Sequence, residues 1–114
     1  MRRIYHLVPR SAWQQAPEEP YRAGSLTSEG FIHCSNRDQV AAAANRFYAN
    51  EADLLVVAID VDRLTSPVRD EEAGTGERFP HIYGPINREA VVEVRRMERG
   101  PDRQWVFPEG DAAP

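Results

Sequence analysis

The chain has no lysine; all 14 of its basic residues are arginine. That absence excludes Schiff-base chemistry on a lysine amine and the lysine-bearing phosphate loop of P-loop nucleotide binding. Cysteine is limited to Cys34, so no internal disulfide can form. Histidine is nearly as scarce, at His6, His33 and His81. An excess of positive charge is missing too: the net charge of -4 argues against bulk binding to nucleic acid. No apolar run approaches the length that spans a bilayer. The opening MRRIYHLVPR carries two arginines but too short an apolar stretch for a signal peptide. A cytoplasmic protein is the expectation.

What is present fits a single domain over residues 1–114, with a core at about 3–107 and a frayed tail at 108–114. A chain this long buries roughly two-thirds of the surface it exposes when unfolded, enough for one core without staples. Residues 3–9, RIYHLVP, alternate and stop at proline, which predicts a strand with Ile4, His6 and Val8 on one face and Tyr5 and Leu7 on the other. SAWQQA predicts a short helix with Ser11 as its cap, and EGFIHC a second strand. The main helix is expected at about 36–50: Ser35 or Asn36 can cap it, Gln39 completes a capping box, and Val40, Ala44 and Phe47 form a core-facing stripe. DLLVVAID reads as a strand buried on both faces, AVVEVRRME as another, and RQWVF as a short last one. Residues 70–78, DEEAGTGER, read as a mobile loop, and FPHIYGPIN as a turn-rich segment. There is no internal repeat. The class is α+β, with small, mostly antiparallel sheets.

On an extended strand Phe31, His33 and Ser35 point one way and Ile32 and Cys34 the other, so the His-Cys-Ser trio is split. Cys34 reads as a small buried apolar residue. His33 and Ser35 sit just before a helix start, where unpaired N–H groups suit an anion; the alternative is a plain cap. His6, on an otherwise apolar face, is a satisfied core residue or a ligand contact. His81, with Tyr83 and Asn87, lies on a proline- and glycine-fixed segment that suits a pocket wall or a rigid surface turn. The histidines lack the close pairing of zinc ligands, so no metal is expected. Neither G-x-S-x-G nor G-x-G-x-x-G occurs. Glu29, the acids of DEEAGTGE and Glu93 read as solvent-facing, and of these only Glu93 falls on a predicted strand.

The blocks IYHLVPRSAW, SLTSEGFIHCS, VAAAANRFY, LLVVAIDVDRLTSPVR, and FPHIYGPIN followed by AVVEV cover nearly the whole chain. In order and spacing they resemble family 952 of the domains of unknown function, a group of small bacterial proteins. The resemblance implies the ADP-ribosyltransferase fold, whose members bind NAD in a cleft between two small sheets without a Rossmann motif. It puts His6 where relatives carry a first-strand residue that contacts NAD. It likens His33 and Ser35 to the H-x-S strand of RNA 2'-phosphotransferases, and it leaves Glu93 as the match for a late-strand catalytic glutamate.

The candidate catalytic set is therefore His6, His33 and Glu93. The set for holding NAD or a related nucleotide is His6, His33, Ser35, His81, Tyr83 and Asn87, with Tyr5, Tyr83 or Phe31 to stack on a base and the 70–78 loop as a lid. Three readings stand: a nucleotide-binding protein of the ADP-ribosyl- or phosphotransferase kind, a non-catalytic ligand- or partner-binding module, and a metal-assisted hydrolase using the histidines. Protein partners and a membrane are not indicated.

Overall fold

LLVVAID is too evenly apolar to leave a side for water, and it forms the centre of the fold. In the computed structural model, which describes residues 1–108, no residue of strand β3 (Leu54–Asp60) is more than 5% exposed. The tail expected at 108–114 lies, past Pro108, outside the described residues. Strand β3 runs antiparallel between β1 (Arg3–Pro9) and β6 (Val91–Arg96). Alternation sorts the side chains of this sheet. Ile4, Val8, Leu55, Val57 and Ile59 enter one apolar cluster, and Leu7, Leu54 and Val56 a second on the opposite side. Each large aliphatic group so buried contributes about 1.5–3 kcal/mol.

A second antiparallel sheet, in the order β2-β5-β4, covers the first cluster. Its strands are β2 (Ile32–His33), β4 (Val68–Glu72) and β5 (Arg78–Ile82), and Ile32, Ile82 and Val68 face inward. Two expectations are corrected here. Residues 70–78 are not a mobile loop: they are the end of β4, a turn and the start of β5, closed by Ala73 N–H donating to Glu77 C=O at 3.1 Å. Gly74 and Gly76, at φ 86° and 85°, supply the left-handed residues that the turn requires. The first half of FPHIYGPIN is likewise strand, with Pro80 inside it.

Pro80 also explains why β2 has two residues rather than the six expected. Cys34 N–H donates to Pro80 C=O at 3.0 Å, but proline has no N–H to return. The chain turns away at that point, and Ser35 pairs both of its backbone groups with Tyr5, at 2.7 and 2.9 Å. This corner joins the two sheets.

Helix α3 (Val40–Phe47) packs Val40 and Ala44 on the second cluster, behind a single 3-10 turn at Arg37–Gln39. Asn36 is the capping residue, its N–H donating to Gln39 Oε1 at 2.9 Å. Phe47, expected in the core stripe, is 68% exposed, because the helix ends there. Trp105 fills the cluster instead. It sits on the hairpin of β7 (Glu98–Arg99) and β8 (Trp105–Val106) and donates its indole N–H to Tyr48 C=O at 2.8 Å. Helix α1 (Arg10–Trp13) starts directly after Pro9 without a Ser11 cap, and α2 (Gly24–Ser28) interrupts the connection to β2. The expected α+β class thus holds, as two three-stranded antiparallel sheets with a terminal hairpin. Among the described residues no helix is long and apolar enough to cross a membrane.

Candidate functional site

The period of two that turns Ile32, Ile82 and Val68 inward turns their neighbours outward. Register sets His33 opposite His81, and His81 opposite Arg69, so one row crosses all three strands of the second sheet. Two residues away along the same face stand Phe31, Tyr83 and Glu71. The Cys34–Pro80 hydrogen bond makes the adjacent His33–His81 pair a non-hydrogen-bonded one, the kind that brings side chains closest.

The rings meet accordingly. Phe31 stacks on His81 at 4.1 Å between centroids and 16° between planes. The two imidazoles are 5.4 Å apart, Phe31 meets His33 edge-on at 4.9 Å, and Tyr83 lies 5.5 Å from Phe31. Glu71 binds the group together, its Oε1 accepting from His81 Nδ1 at 2.9 Å and from the Tyr83 hydroxyl. Those two hydrogen bonds, Tyr83's the larger in effect, hold the Glu71 carboxyl below its ordinary range, and the carboxylate in turn raises the Tyr83 phenol. An ionised carboxylate only accepts, so Nδ1 of His81 is the donor in this bond and carries a proton. His33 Nε2 donates to Glu29 at 2.9 Å, both side chains being about half exposed. The Arg69 guanidinium lies 5.1 Å over the Tyr83 ring. A rigid aromatic floor, two imidazoles and two carboxylates can stack a flat group, bind hydroxyls and move protons.

The structure therefore brings together His33, His81 and Tyr83 of the expected residues, with Phe31 as the stacking ring. The others are elsewhere. His6 points between the sheets, 6% exposed, its Nδ1 donating to the His33 backbone carbonyl at 2.7 Å and its ring 5.5 Å from that of Tyr21. Burial pushes its pKa down to about 4. Ser35 is buried at the corner between the sheets. Asn87 clamps a turn, accepting from Thr65 N–H and hydroxyl at 2.9 and 3.2 Å and donating to Arg63 C=O at 3.0 Å.

Glu93 pairs with Ala58, which pairs with Tyr5, whereas His6 lies in the neighbouring row with Val57 and Val94. Glu93 is thus on the opposite face of the first sheet from His6. Tyr5 is on that face too, edge-on to Phe107 at 5.5 Å, and stacks on nothing at the histidines. The helix start expected to take a phosphate is filled by the chain itself: Gln39 bonds Asn36 N–H, Arg78 C=O and the Glu77 carboxylate. Cys34 is buried among apolar groups, which pushes its thiol far up and makes it inert.

Sequence reasoning missed Arg69 and set Glu29 and Glu71 aside as solvent-facing acids. The signal for Glu71 was the G-T-G of residues 74–76 flanked by VRDEE and RFPHI, which reads as a hairpin once the acids are allowed on an edge strand. Among the described residues no group of three or more His, Cys, Asp or Glu side chains is arranged to hold a metal ion.

The family model described as "Protein of unknown function (DUF952)" matches residues 7–94. No curated protein matches the sequence. The crystal structure of protein CC0527 from Caulobacter crescentus superposes with a TM-score of 0.81 at 24% identity, over 92% of this chain and 94% of that one. The solution NMR structure of CC0527 gives a TM-score of 0.76 at 25% identity, over 91% of each chain. The likeness to these structures lies in the fold.

Proposed function

We propose that this chain, which belongs to the DUF952 family of proteins of unknown function, binds NAD or a related nucleotide on the outer face of the β2-β5-β4 sheet. The observation that carries the reading is the convergence of His33, His81, Tyr83 and Phe31 from separate segments, with Glu71 joined to two of them. Phe31 is half-buried and presents its ring for a flat base to stack on. His33 and Glu29 lie at the exposed edge and would hydrogen-bond ribose hydroxyls. In ribosyl transfer the bond from ribose C1' to nicotinamide nitrogen breaks, its electron pair leaves with nicotinamide, an oxocarbenium ion develops, and an acceptor hydroxyl or water then bonds to C1' and gives up its proton. The carboxylate that would stabilise this charge is Glu71, not Glu93.

A second reading, a binding module without chemistry, draws on one observation. Glu71 is already engaged by His81 and Tyr83, and Glu93 lies across the first sheet. Thermal unfolding against NAD, ADP-ribose and 2'-phosphorylated nucleotides tests both. Ligand at a hundred times its dissociation constant adds about 2.7 kcal/mol, a shift of several degrees for a domain of this size. Phe31→Ala and His33→Ala should abolish it, and a flat panel refutes nucleotide binding. Glu71→Gln, with nicotinamide release as the readout, separates transfer (turnover lost, binding kept) from a binding module (no turnover in either protein).

A further inference from the structure

A groove of about 480 Å³ lies away from the histidine face, along the side of the first sheet where α1 meets β3 and β6. Its floor is Trp13, Leu55 and Val94, and its walls carry Arg10, Arg88 and Arg96. Its volume falls within the range of roughly 300–1,000 Å³ typical of small-molecule sites. Three guanidinium groups converging on one hollow are unexpected in a chain whose net charge is -4.

Their partners leave them under-satisfied. Asp53 is the carboxylate that Arg10 and Arg96 share, at 3.5 and 3.3 Å. Charge-assisted N–H to carboxylate bonds run at about 2.7–2.9 Å, so both contacts are loose. Asp53 Oδ1, buried, receives no hydrogen bond at all. Arg88 is held differently. It donates to the backbone carbonyls of Glu19 and Ala16 at 2.8 and 3.3 Å, and its guanidinium lies 4.4 Å over the Trp13 ring. Those bonds fix its position without cancelling its charge. The lining residues thus hold three cations and no carboxylate over an apolar floor, with Asp53 the one acid paired to any of them.

We infer that this groove binds a small ligand carrying a phosphate or pyrophosphate group, with Arg10 and Arg96 as donors to its oxygens, Arg88 as a fixed cation behind them, and the apolar part of the ligand on Leu55 and Val94. Arginine forks match the oxygens of a tetrahedral anion in pairs, which an Asp53 carboxylate in loose contact does not exploit. Asp53 occupies the donors when the groove is free and competes with the ligand.

The probe is pyrophosphate, followed through the Trp13 indole N–H and the arginine Nε–H signals by NMR on the whole chain. The expected result is saturable movement of the Trp13, Arg88 and Arg96 signals while the His33 and His81 rings stay still. Arg10→Gln and Arg96→Gln, both at exposed positions, should each weaken binding about tenfold, as loss of one charged hydrogen-bonding partner does. Asp53→Asn makes the opposite prediction: removing the competing charge should tighten binding by several-fold, which a purely structural role for Asp53 would not do. Preserved amide dispersion in each variant shows that it folds. The proposal is overturned if pyrophosphate moves none of these signals, if Asp53→Asn leaves the affinity unchanged or lower, or if citrate binds as tightly as pyrophosphate.

Discussion

Acidification from pH 7 to 5 should weaken the fold through one imidazole. His6 is buried between the sheets, and burial lowers its pKa from 6.5 to about 4; the hydrogen bond to the His33 carbonyl opposes this in part, and His33's charge adds to it. Between those two values the unfolded chain takes up a proton that the folded chain refuses. Acid therefore favours unfolding in that window. The contribution of neutral His6 is fully present above pH 6.5, declines by about 1.4 kcal/mol per pH unit below it, and is lost as pH falls through 4. The loss reaches about 2 kcal/mol at pH 5 and about 3 kcal/mol in full. Against a total stability of about 5–15 kcal/mol for a native domain, that is a large fraction. Urea unfolding at pH 7, 6 and 5 measures it.

His6→Gln is the reference protein, since its side-chain amide can donate to the same carbonyl and does not titrate. The difference in stability between wild type and His6→Gln should shrink by about 2 kcal/mol between pH 7 and 5. Asp70, lowered by Arg2, and Glu71, lowered by Tyr83 and His81, give stability that starts to fall only as pH drops through their ordinary values of 3.8 and 4.5, below the range measured. Their share also cancels in the difference between the two proteins. A parallel pH dependence in the two proteins, or a His6 ring that titrates near 6.5 by NMR, would show that the imidazole is not sealed as described.

Two further outcomes follow from residues that the site does not use. Glu93→Gln should leave the response to the nucleotide panel unchanged, because register puts that side chain on the far face of the first sheet; a lost response would restore Glu93 to the site. Asn87→Ala should cost about 0.5–1.5 kcal/mol in urea unfolding, since it removes the hydrogen bonds that clamp the turn while the freed groups of Thr65 and Arg63, being exposed, regain water. Its ligand response should be intact, and weakened binding in a normally stable variant would contradict the assignment.

The elements legible in the sequence are those whose signal is local. RIYHLVP alternates, LLVVAID is apolar throughout, and Asn36 and Gln39 sit at capping-box spacing; each says what it forms without reference to the rest of the chain. The second sheet was not legible in this way. Its β4 strand carries arginine, aspartate and two glutamates because it is an edge that packs only one side, and its β5 strand contains a proline because β2 leaves it there. By composition such strands look like loops. Only their pairing with each other reveals them, and pairing is a long-range property.

The same reason separates Glu71 from Glu93. An acid in an apolar strand attracts notice, and Glu93 in VVEV did so. An acid among other acids beside glycines does not. Yet a carboxylate acts on what lies within about 3 Å of it, and that depends on face and register rather than on contrast with its sequence neighbours. Val68 turns inward, so Arg69 and Glu71 turn outward, and antiparallel pairing then carries them to His81 and Tyr83. One apolar residue at 68 thus fixes where the charge at 71 is spent. A one-residue slip of β4 would bury Glu71 and leave His81 without its acceptor, so the hairpin turn at Gly74 and Gly76 is part of the site although it touches none of the site's rings.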